Sequence, residues 1–169
     1  TGKTLLLDQI RKSSVQAREA GGITQHIGAS FFPTATLKEI AGPMLKKVGG
    51  KIRIPGLLVI DTPGHEAFVN LRRRGGGVAD IAILVIDVLK GFEVQTYECI
   101  DILKERRTPF LVAANKIDRI SGWKPEPSAS FLESYKIQDP LVQQALDEHL
   151  YVIIGKFSEM GFKTERFDR

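Results

Sequence analysis

The stretch "LLVIDTPGHEAF" (57–68) joins a short apolar run to a polar turn. The run is typical of a buried strand in a parallel sheet, and it ends at Asp61. Similar runs stand in "IAILVIDV" (81–88) and "PFLVAANKID" (109–118). Between these two, "EVQTYECIDILKERR" (93–107) repeats apolar residues at helical spacing. Buried strands that alternate with amphipathic helices predict an α/β fold with a mostly parallel sheet.

Local signals predict the other elements. The pair Thr36 and Glu39 is typical of a helix N-terminus, and Asp139-Pro140 is typical of another. We expect a helix over 5–17, a short helix from Thr36, two short strands around a Pro-Gly turn in 49–64, and a long helix from about 140 to Gly161. Gly-rich and Pro-rich stretches at 19–30 and 121–130 predict loops.

The composition of the chain fits one soluble domain with a core: 169 residues, 43% hydrophobic and 26% charged. The net charge of +4 is compatible with an anionic partner but does not require one. A single cysteine, Cys99, excludes an internal disulfide and suits a reducing cytosol. No apolar run has the length of a membrane span and no signal peptide opens the sequence, so we expect a cytoplasmic protein with no membrane partner.

The first four residues, "TGKT", match the second half of the phosphate-loop motif G-x-x-x-x-G-K-[ST]. In such a loop Gly2 lets backbone N–H groups approach phosphate oxygens, and Lys3 neutralises the β- and γ-phosphates. The hydroxyl of Thr4 ligates Mg²⁺. Alone, these residues are more typical of a solvated turn, so their interpretation depends on the motifs downstream.

The turn after Ile60 has the residue types of a γ-phosphate sensor. Asp61 ends a buried strand, where a carboxylate can hold the Mg²⁺ shell, and Gly64 leaves its N–H open for the γ-phosphate. His65 can orient or polarise an attacking water. A loop threonine, Thr24, can add a second Mg²⁺ contact when the triphosphate is bound. The alternative for Asp61 and Gly64 is a plain strand-to-turn junction, and the alternative for His65 is an exposed turn histidine. The alternative for the segment around Thr24 is an ordinary flexible loop.

The sequence "NKID" (115–118) selects the base. The carboxylate of Asp118 can accept hydrogen bonds from the N1–H and the exocyclic amino group of guanine, a donor pair that adenine lacks. Asn115 can bond the purine edge, and the stem of Lys116 can lie over the ring. Together with G-K-T and D-T-P-G upstream, this motif predicts GTP or GDP as the ligand.

Two other features of the sequence, a run of arginines and a set of large aromatic residues, are not assigned to the nucleotide site. The run Arg72–Arg74 suits either a nucleic-acid contact or a solvated helix face. Trp123, Phe157 and Phe162 are predicted to pack in the interior, because no repeated alternation of basic and aromatic residues surrounds them.

The ordered motifs G-K-T, G-G-I-T-Q-H-I-G-A, D-T-P-G-H-E-A-F and N-K-I-D resemble those of translational GTPases, and the middle two are similar to the initiation factor 2 family. The continuation "DRISGWK", "KIQDPLVQQALDEHLY" and "EMGFKTERFDR" resembles archaeal and eukaryotic initiation factor 5B. The resemblance covers essentially the whole chain. It implies a three-layer P-loop GTPase fold, a Mg²⁺-dependent GTPase activated by the ribosome, and a role in initiator tRNA placement and subunit joining.

The resemblance also implies the role of individual residues. The threonines at Thr4 and Thr24 would bind Mg²⁺, His65 would support hydrolysis, and the arginines of 72–74 would face ribosomal RNA. The guanine-reading set would be Asn115, Lys116 and Asp118.

Family members carry a strand and the front of the phosphate loop ahead of the position of Thr1, and a further strand after that of Arg169. The resemblance therefore implies that 1–169 is a partial G domain that lacks the first and last strands, with the β-barrel and tRNA-binding domains absent. From this we expect the chain alone to fold poorly and to bind GTP weakly. The alternatives are a ribosome-docking fragment without nucleotide turnover and another translational GTPase, such as an elongation factor.

Overall fold

The computed structural model of the protein describes residues 2–16, 25–26, 29–48, 50–60, 79–127 and 129–168. The chain forms two compact units. The N-terminal unit is Lys3–Gly75, and the C-terminal unit consists of Thr1–Gly2 with Gly76–Arg169.

The described part of the N-terminal unit has two helices and one antiparallel sheet. In chain order its elements are α1 (Lys3–Gln16), β1 (Gln25–His26), β2 (Ala29–Pro33), α2 (Thr34–Val48) and β3 (Gly56–Ile60). The strand order is β1-β2-β3. Alternate residues of β2 are buried, with Ser30 and Phe32 each 1% exposed. Arg11 Nε donates a hydrogen bond of 3.0 Å to Ser30 Oγ, which ties α1 to β2.

The start of α2 corrects two predictions. The helix begins at Thr34 and has 15 residues, so the predicted cap Thr36 lies inside it with 6% exposure. The backbone N–H of Thr34 donates to Pro55 O at 3.1 Å, and its hydroxyl donates to Ile54 O. Residues 50–55, where a first short strand was expected, contain no strand. The carbonyl oxygens of Ile54 and Pro55 accept hydrogen bonds from Thr34 at the start of α2 and not from a neighbouring strand.

Strand β3 forms where a strand was predicted, but its environment differs from the prediction. It pairs antiparallel with β2, from Ala29 opposite Ile60 to Pro33 opposite Gly56. Leu57 is 41% exposed. The hydrogen bonds between Thr34 and residues 54–55 return the chain to the end of β2, and β3 must therefore run back along β2. A buried parallel strand is thus wrong for β3.

The C-terminal unit contains the parallel pair that the sequence predicts. Strands β4 and β5 are paired in parallel, from Ala82 opposite Phe110 to Asp87 opposite Asn115. The elements of this unit are β4 (Ala82–Asp87), α3 (Val94–Arg106), β5 (Phe110–Asn115), a short 3₁₀ helix (Ile117–Arg119), α4 (Phe131–Lys136) and α5 (Pro140–Glu159). Helices α3 and α5 confirm the predictions for 93–107 and for about 140 onward. The short helix α4 was not predicted.

The hydrophobic core of this unit lies on one face of the β4–β5 pair. Leu84 and Ile86 of β4 pack with Ile100 of α3 and with Leu146 and Phe157 of α5. Ile86, Ile100 and Leu146 are fully buried, and Phe157 is 1% exposed. Because each such side chain contributes about 1.5–3 kcal/mol relative to exposure, this core holds α3 and α5 against the strand pair.

The predicted packing of the large aromatic side chains is confirmed. The rings of Phe157 and Phe162 are 5.9 Å apart and nearly perpendicular, an edge-to-face contact. Trp123 and Cys99 are partly buried against the same core. These residues therefore stabilise the unit.

Arg166 holds the last described segment to α5. Its Nη1 lies 2.7 Å from Asp147 Oδ1, while its Nε and Nη2 lie 2.9 and 2.6 Å from the two oxygens of Asp168. Its side chain is only 7% exposed, and hydrogen bonding to Asp168 raises its pKa further above the ordinary value. Tyr135 also donates to Asp147, at 3.0 Å. The bidentate ion pair with Asp168 lies within the segment 162–168 and orients Arg166, and the contact of Arg166 with Asp147 attaches the segment to α5.

Candidate nucleotide-binding site

The carboxyl ends of β4 and β5 bring together the polar residues of the site. Asp87 and Asn115 end the two strands and are partners in register. Lys116 follows in the left-handed conformation, with φ 66° and ψ 32°, and Asp118 lies exposed in the 3₁₀ helix that comes next. Ligands of α/β proteins bind beyond this edge of the sheet. The predicted guanine-reading residues therefore stand together at the expected place.

An ion pair fixes the side chain of Lys116. Its Nζ lies 2.7 Å from Asp87 Oδ2, and the Lys116 and Asp87 side chains are 21% and 5% exposed. The second carboxylate oxygen accepts a hydrogen bond of 3.1 Å from the backbone N–H of Leu89. The hydrogen bond from Lys116 holds the pKa of the Asp87 carboxyl below its ordinary value, although burial acts to raise it.

Gly2 of the predicted phosphate motif lies close to two of the predicted guanine-reading residues. Its backbone is left-handed, with φ +85°, and a Cβ built on it would lie 2.6 Å from Asn115 Nδ2. The same Cβ would lie 3.7 Å from Lys116 Cε. Only glycine fits so close to the side chains of Asn115 and Lys116. Gly2 and Asn115, which are distant in the sequence, therefore lie close together within the C-terminal unit.

Lys3 and Thr4 stand in the first turn of α1, as the phosphate motif requires. The first N–H groups of a helix lack acceptors within it, and the helix dipole is positive at that end. Such a helix start is suited to bind phosphate. The hydroxyl-bearing side chain of Thr4 is exposed.

The predicted residues Thr24, Asp61, Gly64 and His65 lie outside the described residues, as do the arginines of 72–74. Asp61 directly follows the last residue of β3, and Thr24 directly precedes β1. Their roles therefore stay predictions. The described residues contain no group of three or more His, Cys, Asp and Glu side chains able to hold a metal ion.

Sequence reasoning missed Gln138, which supports the loop after the base-reading turn. It is 4% exposed, and its Oε1 accepts from the backbone N–H of Lys124 at 2.7 Å. Its Nε2 donates to the carbonyls of Lys124 and Ser134, at 2.9 and 2.7 Å. One buried amide thus clamps the loop 121–127. No sequence signal marks this residue, because its partners are backbone groups.

Sequence reasoning also missed Asp87, although a signal was present. The residues Leu-Val-Ile-Asp occur at 58–61 and again at 84–87. Each copy places a carboxylate directly after a run of strand residues. The first Asp was assigned to the site and the second was not.

A cavity of about 1000 Å³ in the C-terminal unit lies beside the site but is distinct from it. Its wall is formed by β5, α5 and residues 162–168, with Phe110, Phe157 and Phe162 among its lining side chains. None of Asn115, Lys116 and Asp118 lines it. Its apolar wall is unsuited to phosphate.

A phosphate motif that meets an N-K-x-D turn at the carboxyl ends of parallel strands is the arrangement of P-loop GTPases, and fold and site assign the chain to that class. Comparison with known proteins identifies the family within this class. The chain belongs to the family of elongation factor Tu GTP-binding domains, whose family model matches residues 1–160.

The relatives are archaeal initiation factors. A probable translation initiation factor IF-2 of Aeropyrum pernix is 60% identical over 168 residues, which are 99% of this chain and 27% of the relative. The corresponding protein of Methanopyrus kandleri is also 60% identical over 168 residues, 99% of this chain and 28% of the relative. The crystal structure of GDP-bound aIF5B from Aeropyrum pernix matches with a TM-score of 0.89 and 60% identity, covering 99% of this chain and 28% of that one.

These matches confirm the resemblance to the initiation factor 2 and 5B family and the α/β P-loop GTPase fold. The chain spans 27% or 28% of the length of these relatives. Within the part of the chain that the structure describes, no helix is long and apolar enough to cross a membrane.

Proposed function

We propose that this chain is the GTP-binding and GTP-hydrolysing module of a translation initiation factor. The observation that carries the proposal is the close approach of Gly2 to Asn115 and Lys116, which joins a phosphate-binding sequence to a guanine-reading one. The 60% identity to archaeal IF-2 proteins supports the assignment to initiation.

Base recognition is assigned to the turn after β5. The Asp118 carboxylate accepts from the N1–H and the amino group of guanine, while Asn115 bonds the purine edge. The left-handed Lys116 presents its stem to the ring, with its ammonium already bound by Asp87. Adenine would leave Asp118 without its donor pair, so the site prefers guanine.

Phosphate binding is assigned to Gly2, Lys3, Thr4 and Gly64. Backbone N–H groups at the start of α1 meet the phosphate oxygens, and the Lys3 ammonium neutralises the β- and γ-phosphates. Gly64 would offer its N–H to the γ-phosphate.

The oxygen donors of Thr4, Thr24 and Asp61 fit Mg²⁺, because hydroxyl and carboxylate groups are the hard ligands that this ion prefers. When bound, the ion neutralises charge between the β- and γ-phosphates. Thr24 would join this set only with the triphosphate, which makes its loop sensitive to hydrolysis.

Hydrolysis is assigned to His65, which would orient the water that attacks the γ-phosphate. Because the transition state spreads charge over the γ-phosphate oxygens, most of the catalysis comes from positioning and from Lys3 and the helix start. The ribosome would activate this step, with the arginines of 72–74 facing ribosomal RNA.

The cellular role is proposed from the family resemblance, and the names of the relatives as initiation factors support it. We assign the chain to a cytoplasmic factor that uses GTP to help place initiator tRNA and join ribosomal subunits, with tRNA bound by other domains of the longer protein. In this view residues 1–169 act as the nucleotide switch.

The experiment that tests the function compares guanosine and xanthosine nucleotides. In xanthine a carbonyl replaces the amino group of guanine, so Asp118→Asn, which can donate to that carbonyl, should exchange GDP preference for XDP preference. Glu159→Gln, an equal change at an exposed ion pair on α5, is the control. Binding is measured with fluorescent GDP and XDP analogues in the full-length gene product that contains this chain. Equal affinity of the unmutated protein for GDP and ADP would contradict the assignment.

A further inference from the structure

The Asp87–Lys116 ion pair has no assigned role in nucleotide binding. We propose that Asp87 is a positioning residue, which fixes the side chain of Lys116 beside Gly2 and so presets one wall of the purine site. The inference rests on the proposed function, because Lys116 needs a purine ring to cover.

The carboxylate of Asp87 is itself rigidly held. Asp87 ends β4 opposite Asn115, so its side chain leaves the sheet at the edge where the base-reading turn begins. One oxygen binds Lys116 Nζ at 2.7 Å and the other binds the N–H of Leu89 at 3.1 Å. With its side chain 5% exposed, the carboxylate cannot turn toward water without losing one of these bonds.

The ion pair restricts a side chain that is otherwise flexible. A lysine stem has four carbons with many rotamers, and anchoring its ammonium removes most of them. In the anchored position, Cε of Lys116 lies 3.7 Å from the place of a Cβ on Gly2. The stem is thus fixed at the point where the phosphate motif meets the base-reading turn. Because the Lys116 side chain is ordered before the nucleotide binds, less side-chain conformational entropy is lost on binding.

The competing explanation is that the pair only stabilises the fold. A buried carboxylate that loses its partner destabilises a protein whatever the protein binds. A purely structural pair would change unfolding but leave nucleotide release unchanged at temperatures well below the midpoint. Nucleotide release therefore separates the two explanations.

The test is a double-mutant cycle on nucleotide release in the full-length gene product that contains this chain. Release of a fluorescent GDP analogue is followed by stopped flow for the unmutated protein, Asp87→Asn, Lys116→Met and the double variant. Asp87→Asn should release the analogue about tenfold faster, the effect of losing one charged hydrogen bond. The double variant should release it no faster than Lys116→Met alone. Preference for GDP over ADP should persist in Asp87→Asn, because Asp118 is intact.

Glu159→Gln is the control, since it removes one charge from the exposed pair with Lys156 and should leave release unchanged. An unchanged release rate in Asp87→Asn overturns the positioning role. Equal acceleration by Asp87→Asn in the Lys116→Met background also overturns it. Both results leave the proposed function intact. Failure of the unmutated protein to bind the GDP analogue overturns the proposed function and this inference together.

Asp87→Glu provides the comparison if Asp87→Asn does not unfold cooperatively. It keeps the charge, and so keeps Lys116 neutralised, but it displaces the carboxylate by one methylene. We expect faster release than in the unmutated protein, because the stem is no longer held beside Gly2. An unchanged rate in this variant overturns the positioning role.

Discussion

Replacing Gly2 with alanine should weaken nucleotide binding. The backbone strain of the left-handed conformation costs a non-glycine residue about 1–2 kcal/mol. The Asn115 amide must also retreat from 2.6 Å to at least 3.4 Å from the new Cβ. The strain is present in the free and in the bound protein, so it lowers the free energy of unfolding, whereas the displacement costs Asn115 about one hydrogen bond to the base, about 1–2 kcal/mol of binding free energy. The Kd for GDP should therefore rise about 5- to 30-fold.

The matched control is Gly161→Ala. Gly161 has φ +82°, close to the +85° of Gly2, but a Cβ on it would have no neighbour within 4 Å. It therefore carries the backbone strain without the clash. We expect a loss of about 1 kcal/mol in the free energy of unfolding and an unchanged Kd. Binding is measured by titration with a fluorescent GDP analogue. A Kd for Gly2→Ala within about threefold of the unmutated value, less than 1 kcal/mol, would refute the reasoning.

Three further predictions concern stability, each measured by urea unfolding. Arg166→Met leaves the buried Asp168 without its bidentate partner and should cost about 3 kcal/mol; a loss below about 1 kcal/mol would show a surface-type pair. Gln138→Ala leaves buried backbone groups unpaired and should cost about 2 kcal/mol. The control Gln144→Ala, at an exposed hydrogen bond, should cost less than about 0.5 kcal/mol. Equal losses in the two variants would contradict the role of Gln138 in holding the loop 121–127. The folded-state pKa of Asp87 is lowered, so its contribution is complete above the unfolded-state pKa and is lost as pH falls through the folded value. The stability difference between the unmutated protein and Asp87→Asn should be constant from about pH 7 to pH 5 and shrink below about pH 4; a difference that grows there would contradict the assignment.

The sequence predicted the C-terminal unit well, because its signals are local and agree with one another. The apolar run before Asn115 is a strand, and 93–107 contains a helix that packs on the neighbouring strand β4. A parallel pair joined by a helix places the ends of both strands at one edge of the sheet. The position of the base-reading turn follows from these facts alone.

The N-terminal unit was predicted less well, because its geometry depends on contacts between distant residues. The pattern from Thr36 to Glu39 has the residue types of a cap, but the backbone of Thr34 finds its partner at Pro55. This bond moves the start of α2 and replaces the expected first strand. Strand β3 then pairs antiparallel with β2. An apolar run such as Leu57–Ile60 does not by itself indicate the direction of its neighbouring strand.

Gly2 and Lys116 lie close together at the site, and both have positive φ. For glycine this conformation is unstrained, but for Lys116 it is strained. Among the described residues, Lys116 and Arg107 are the non-glycine residues with positive φ. Arg107 closes α3, where this conformation is ordinary. Lys116 lies between a strand and a 3₁₀ helix, so its conformation must be held by its surroundings. The Asp87 carboxylate provides that support, since it binds the Lys116 ammonium from the neighbouring strand. The bend at Lys116 also separates the last strand residue, Asn115, from the helical turn that carries Asp118. The strain is therefore located in the turn that carries the proposed guanine-reading residues.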